Sequence, residues 1–325
     1  MTGPDPLEMA TGYQRSAVVA AACETGVAAA IAERSASPAE VAAEHGLDPR
    51  GVRALLGAMS GLGLAERDGA GFRLSEAGAP LAPGHRRTVA PIVAKEWFFY
   101  RAWAGLPQTV RDGHARIAPW RERLAAEPGT ALDFLRALDD LATMFGGGLP
   151  ELAGVPGPGR LLDVGGGSGA HAAALAAATP GLEAVVLDLG PVGALVAERH
   201  PELGFVEGDL EAPRFGRPAG EQWDVVLVAN VLHDVPEDAA RRIVAAAAGL
   251  LRPGGLLVAY EWLLDDDGGG PPEVAMFALM MMVENEGGAA YSASQIEAWM
   301  AAAGLEGVET RRGAGPIAAV RGRRP

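Results

Sequence analysis

The sequence predicts an α/β protein. A doubly wound sheet of parallel strands fills the C-terminal half, and a smaller, mainly helical domain precedes it. Three observations carry this. From about residue 160, short apolar runs alternate with segments of helical period, the pattern of a parallel sheet covered on both faces. The first of those runs feeds a glycine-rich loop, Asp163-Val-Gly165-Gly166-Gly167-Ser168-Gly169, which opens into a helix. The N-terminal part reads helix, helix, helix, hairpin, the order of a winged helix.

Residues 10–34 carry apolar positions at helical spacing, rich in alanine and free of proline, and predict one helix. Ser37-Pro38-Ala39-Glu40 is a capping box with proline at the first helical position, opening a helix over Pro38–His45. Asp48-Pro49 repeats the start signal for a helix reaching about Ser60. Leu64–Arg67 and Phe72–Leu74, parted by Asp68-Gly69, form a hairpin. Residues 86–145 are helical, with the aromatic cluster Trp97-Phe98-Phe99-Tyr100 and then Trp103, placed either in the core or on a pocket wall. The glycine- and proline-rich stretches Gly146–Pro150 and Gly154–Gly159 are the best linker in the chain. The expected domains are therefore 1–85 (winged helix), 86–150 (helical connector contributing to a pocket) and 151–325 (sheet domain).

In the sheet domain the strands are Leu161–Val164, Ala184–Leu187, Gly204–Val206, Val225–Ala229 and Leu256–Tyr260. The helices are Ala170–Thr179, Val192–His200, Glu237–Leu251 and Ser294–Ala303.

Composition narrows the function. A chain of 325 residues, 49% hydrophobic, can bury one large core or two smaller ones. A net charge of −14 repels phosphate backbones and anionic lipid, so neither nucleic acid nor a membrane is the expected partner. A winged helix suggests DNA binding, but Arg50, Arg53, Arg67 and Arg73 are interspersed with Glu66 and Asp68, and a packing or dimerisation module is the favoured reading. A regulator that senses a cofactor is the competing one. The single cysteine, Cys23, rules out an intrachain disulfide framework and a cysteine-based metal cluster. Six histidines show no metal-ligand spacing, so no metal is expected. The longest apolar run, Val274–Val283, falls short of the ~20 residues a bilayer helix needs. Met1-Thr-Gly-Pro-Asp5 has no basic, then apolar, leader character, and the expected location is the cytoplasm.

The chemistry begins at the glycine loop. Strand, glycine loop and helix let backbone approach a ligand in front of a helix N-terminus. Asp163, two residues before Gly165, suits a zwitterionic or cationic ligand better than a pyrophosphate. Asp188 ends the second strand about twenty residues after the glycines, where an acid can hold both hydroxyls of a ribose. Asp209 follows the third strand, where a carboxylate can meet an exocyclic adenine amine. Three acids at the carboxyl ends of successive strands line one crevice. His233 follows the fourth strand on the same side, and a histidine there suits removal of a hydroxyl proton. Asp234 reads as the N-cap of the helix beginning near Pro236.

With these motifs the sequence resembles the class I S-adenosylmethionine-dependent methyltransferases, and more closely the caffeate O-methyltransferase-like enzymes of plants and their bacterial natural-product relatives. The resemblance rests on Leu161-Leu-Asp-Val-Gly-Gly-Gly-Ser-Gly169, Leu187-Asp-Leu189, Gly208-Asp-Leu210, Val231-Leu-His-Asp234, Arg252-Pro-Gly-Gly255 and Ala303-Gly-Leu305, in that order and over essentially the whole chain. It implies a Rossmann-like methyltransferase sheet behind a winged-helix dimerisation domain. It also implies a homodimer, and S-adenosylmethionine held by Asp163, Gly165, Gly167, Asp188, Leu189, Asp209 and Leu210, with S-adenosylhomocysteine as product. Transfer would be to a hydroxyl of a small, aromatic secondary metabolite, with His233 as base and Glu261, at the family spacing, orienting it. The acceptor would meet Trp97, Phe98, Met281 and Asn285, the last two in a methionine-rich lid over Val274–Asn285 that could equally be core. The sequence departs from the plant pattern after Gly287-Gly288, where the place of a second glutamate falls on Ala290. That departure keeps open C- or N-methylation, or a reaction assisted by the cofactor without methyl transfer.

Overall fold

The computed structural model describes residues 5–145 and 148–325, so Gly146 and Gly147 of the expected linker lie outside the described residues. The chain parts into two compact units, Met1–Arg101 and Ala102–Pro325. The division falls after Arg101 because the helices between residues 106 and 153 pack onto the sheet unit rather than standing as a separate connector.

In the first unit the expected helix over 10–34 is broken into α1 (Pro6–Thr11), α2 (Tyr13–Glu24) and α3 (Val27–Ala30). The break before α3 has a local cause. Gly26 sits at φ 75°, and a Cβ there would come within 2.8 Å of the His45 ring, so only glycine fits the turn. Helix α4 (Pro38–His45) carries the full capping box, Ser37 with Glu40, and α5 (Pro49–Gly61) is capped by the Asp48 carboxylate on the Gly51 amide. The antiparallel hairpin β1 (Ala65–Asp68) and β2 (Gly71–Leu74) closes the winged-helix order. Ile31, Val41, Leu56, Met59 and Phe72 form the core of this unit. Helix α6 (Ala90–Trp103) carries the aromatic cluster and runs up to the division between the units.

The second unit opens with α7 (Leu106–Asp112), α8 (Trp120–Ala126), α9 (Pro128–Phe145) and α10 (Leu149–Ala153). Strands and helices then alternate: β3 (Gly159–Val164), α11 (Ala170–Ala178), β4 (Leu182–Asp188), α12 (Gly193–Arg199), β5 (Gly204–Glu207), β6 (Trp223–Ala229), α13 (Glu237–Gly249) and β7 (Leu251–Leu264). After these come α14 (Pro272–Glu284), β8 (Tyr291–Ser292), α15 (Ala293–Ala302), β9 (Glu306–Arg312) and β10 (Ile317–Arg323). The sheet order is β5-β4-β3-β6-β7-β10-β9, with the short β8 beside the end of β7.

Side chains alternate between the two faces. Val226, Val228, Leu257 and Ala259 pack with Ile243 and Val244 of α13 and Trp299 and Met300 of α15. Val225, Leu227, Ala229, Leu256, Val258 and Tyr260 pack on the other face with Leu149 and Leu152 of α10, Ala172 and Leu175 of α11, and Val196 of α12. Each fully buried Leu or Val contributes about 1.5–3 kcal/mol, which makes this two-sided core the rigid frame of the crevice.

The sheet is not wholly parallel. Strands β7–β10 and β10–β9 pair antiparallel, a departure from the expected purely parallel sheet. The sequence predicts no strand beyond residue 304, because β9 (Glu-Gly-Val-Glu-Thr-Arg-Arg) has four charged residues in seven and no apolar run, as suits an edge strand that must not recruit another. Glu309 accepts from Arg311 (3.0 Å) and Arg321 (2.8 Å), and Arg321 also reaches the Ala153 carbonyl at the end of α10 (2.8 Å). Among the described residues no helix is long and apolar enough to cross a membrane.

Candidate active site

The adjacent strands β3, β4 and β5 bring Asp163, Asp188 and Asp209 to one edge of the sheet. The glycine loop leaves β3 with Gly165 at φ 69°. A Cβ on Gly165 would lie 2.9 Å from Val231 Cγ2 and 3.5 Å from Leu210 Cδ1, so the backbone here is pressed between the β5 and β6 turns. Asp188 takes the Gly167 amide on Oδ2 (2.9 Å) and the Leu189 amide on Oδ1 (2.7 Å), which ties the loop to the end of β4. Asp209 Oδ1 accepts from the Glu211 amide (2.8 Å) and from Arg121 of α8, and its side chain stays partly open to solvent.

Asp163 is the anomaly. It is completely buried, and neither carboxyl oxygen has a hydrogen-bond partner. Burial, reinforced by the nearby Asp188 carboxylate, pushes it up to about 7. An uncompensated buried carboxylate is costly, and a cationic ligand seated in the glycine loop is the chemistry that relieves it. Gly166 leaves the room, since a Cβ there would meet Asp163 Oδ2 at 2.6 Å. The buried unpaired acid, the compressed Gly165 backbone and the anchored Gly167 amide together fit an S-adenosyl group with its sulfonium and ammonium charges.

His233 sits in a short 3-10 turn, Leu232–Asp234, directly after β6, and Glu261 lies on the adjacent β7. Glu261 Oε1 accepts the amides of Val231 (2.8 Å) and Leu232 (2.7 Å), while Oε2 is 2.6 Å from His233 Nδ1. A carboxylate accepts, so Nδ1 carries a proton, and it is Nε2 that holds the lone pair whenever the ring is neutral. Both side chains are buried. Burial disfavours the imidazolium, but the Glu261 and Asp234 charges, the Glu261 hydrogen bond and Glu284 outweigh it and push His233 up to about 9.

Asp234 does not cap α13. Pro236, whose ring has no polar atom, holds the cap position, and the Asp234 carboxylate, two residues earlier, accepts from Asn285 Nδ2 (2.8 Å) and stands 3.6 Å from His233 Nε2. The segment after Gly287-Gly288 backs the turn instead: Ala289 donates to the His233 carbonyl (2.9 Å), the Tyr291 hydroxyl to that of Val235 (2.7 Å), and Ala290 is a buried methyl.

Of the expected acceptor residues, Met281 is buried and shares the Asn285 amide with Asp234 (Nδ2 to Sδ 3.7 Å). Trp97 and Phe98 lie on α6 in the first unit, Trp97 stacked on Tyr100 and Phe98 43% exposed. Phe277 belongs to the lid that the sequence predicts over Val274–Asn285, whereas Asn230 has no role assigned from the sequence. Phe277 of α14 lies edge-on to His233 (4.8 Å between centroids) and stacks on Trp262 (4.7 Å), which the apolar spacing of the lid helix hints at. Asn230, at φ 53°, shapes the turn before Val231 and pairs with His171 Nε2 (3.0 Å), whose burial pushes it down to about 4 and keeps it a neutral acceptor.

Comparison with known proteins follows the same division. Residues 104–306 match the O-methyltransferase domain, and residues 7–82 match the O-methyltransferase dimerisation domain. A curated relative, 3-hydroxy-5-methyl-1-naphthoate 3-O-methyltransferase of Streptomyces sahachiroi, is 32% identical over 73% of this chain and 70% of its own. An O-methyltransferase family protein of Burkholderia thailandensis superposes with a TM-score of 0.89 at 25% identity, covering 100% of this chain and 98% of its own. Human N-acetylserotonin methyltransferase, solved in complex with S-adenosylmethionine, superposes with a TM-score of 0.81 at 25% identity, covering 100% of this chain and 99% of its own.

Proposed function

The chain belongs to the O-methyltransferase family, and on that premise we propose that it methylates a hydroxyl of a small aromatic acceptor with His233 as the general base. It is an S-adenosylmethionine-dependent O-methyltransferase. We take it to work as a cytoplasmic homodimer joined through residues 7–82, a region matching a dimerisation domain. The aromatic acceptor rests on the relatives, one of which is named for a hydroxynaphthoate, and on the Phe277–Trp262 stack beside His233.

The observation that carries the reading is the buried pair His233–Glu261 at 2.6 Å, which shares a wall with the glycine loop through Val231 and Gly165. S-adenosylmethionine supplies, when bound, an electrophilic methyl group on a sulfonium. In this reading Asp188 holds its ribose, Asp209 and Leu210 meet its adenine, and Asp163 balances its charge; the ends of β3, β4 and β5 lying side by side support it. A neutral hydroxyl is a poor nucleophile. His233 Nε2 therefore takes the acceptor's hydroxyl proton as the oxygen attacks, and Glu261 stabilises the imidazolium that results. Above that, the protein contributes mainly by alignment of donor and acceptor. Ala290 offers no second carboxylate; Glu261 orients Nδ1, and the Asp234 carboxylate stands 3.6 Å from Nε2.

Calorimetric titration with S-adenosylhomocysteine tests the cofactor assignment. Wild type should bind in the micromolar range and Asp188→Ala at least about tenfold more weakly, the loss expected for a charged hydrogen-bond partner. Equal affinity in the two would remove Asp188 from the site.

A further inference from the structure

The buried carboxylate of Asp139, on α9, meets three side chains and takes no part in the chemistry above. It is 2% exposed. Oδ1 accepts from the Ser168 hydroxyl (2.8 Å) and lies 2.9 Å from His200 Nε2, while Oδ2 accepts from Arg199 Nε (2.8 Å) and Nη2 (2.5 Å). Arg199 Nη2 also reaches Asp140 (2.5 Å). Burial opposes the charge, but His200, Ser168 and Arg199 hold Asp139 below the usual carboxylate range.

Ser168 belongs to the glycine loop. The residue before it, Gly167, gives its amide to Asp188, and the residue after it, Gly169, is the N-cap of α11. Two consecutive loop residues are thus pinned from opposite sides, Gly167 by the end of β4 and Ser168 by α9. Leu135 of α9 also lies beside the loop, since a Cβ added at Gly167 would meet its Cδ2 at 3.6 Å. A glycine-rich loop is flexible by composition, and ordering it when a ligand binds costs affinity. A buried acceptor with a fixed rotamer, held by Arg199 and His200 from the far side, removes that cost before binding.

We propose that Asp139 is a positioning residue for cofactor binding: through the Ser168 hydroxyl it holds the glycine loop in its binding shape and couples that shape to helix α9. The proposal rests on the assignment of the glycine loop as the S-adenosylmethionine site. The Asp139–Arg199–His200 cluster also stabilises the fold, so the informative variant is Ser168→Ala, which cuts the loop free and leaves the cluster intact.

The test is a titration of wild type, Ser168→Ala, Asp139→Asn and the double variant with S-adenosylhomocysteine, beside melting temperatures of the unliganded proteins. Ser168→Ala should weaken binding about tenfold, as expected for one hydrogen bond to a charged group, with little change in melting temperature. The double variant should bind no more weakly than Asp139→Asn, because both remove the same link. Unchanged affinity in Ser168→Ala, or losses that add in the double variant, would overturn the coupling. Wild type that fails to bind S-adenosylhomocysteine would overturn the glycine-loop assignment itself, and the proposal with it. If Asp139→Asn fails to fold, Ser168→Ala alone decides.

Discussion

A histidine that must accept a proton gains basicity from carboxylates around it and loses it to burial, and at His233 the carboxylates win. Its value of about 9, against an ordinary 6.5, means the unliganded protein holds an imidazolium at neutral pH. The sign for stability follows: the contribution of the pair is complete below about 6.5 and is lost as pH rises through about 9. A cationic group beside the pair lowers the value again and frees Nε2 for the acceptor's proton. Glu261→Gln removes the largest of the raising charges. The His233 ring resonances of the unliganded protein should titrate well above neutrality in wild type and move down toward ~6.5 in Glu261→Gln, as NMR can follow directly. A wild-type value at or below 6.5 would contradict the electrostatic picture. His233 is readable in the sequence because it follows an apolar strand, and Glu261 because the family resemblance sets a carboxylate at that spacing from it. The placement of Asp234 is not. An acid two residues before a proline signals a helix cap, and only the tertiary contact with Asn285 draws it toward the imidazole instead.

At the scale of the elements, the strand-to-helix turn after β3 carries the most function per residue. Gly165 has both a positive φ and no room for a side chain, so Gly165→Ala adds backbone strain and drives a methyl into Val231, one residue before Leu232 and two before His233. We expect Gly165→Ala to cost about 1–3 kcal/mol of stability and to weaken S-adenosylhomocysteine binding more than tenfold, measured by thermal melts and calorimetry. A variant that binds as wild type does would show that the turn is not a ligand cradle. The parallel strands β3 to β7 were legible because strands buried on both faces are continuous apolar runs. Strands β9 and β10 were not, because arginine and glutamate pair across them and hide the period. The break at Gly26 was likewise invisible: an alanine-rich run keeps its helical spacing whether or not the backbone turns, and the His45 ring that leaves no room for a side chain at Gly26 lies far along the chain.

For the whole molecule, the division after Arg101 separates a small winged-helix unit from the sheet unit that holds the glycine loop and the His233–Glu261 pair. The order of elements in the small unit was legible from its caps, but its role is not written in helix order alone, since the same order serves DNA readers. The net charge of −14 disfavours a phosphate backbone as partner, and the match to a dimerisation domain favours self-association. Sedimentation should therefore give about twice the 33.3 kDa chain mass, and a monomer at micromolar concentration would contradict that role. The central claim, that this chain moves a methyl group by using His233 to deprotonate a hydroxyl, is tested most directly by comparing wild type and His233→Ala. Methyl transfer from labelled S-adenosylmethionine to a set of hydroxynaphthoates and other phenols would be followed, with S-adenosylhomocysteine affinity as the control for folding. The account predicts transfer slower by about 10²–10⁴-fold in His233→Ala with the affinity unchanged. Transfer at the wild-type rate in His233→Ala would contradict it.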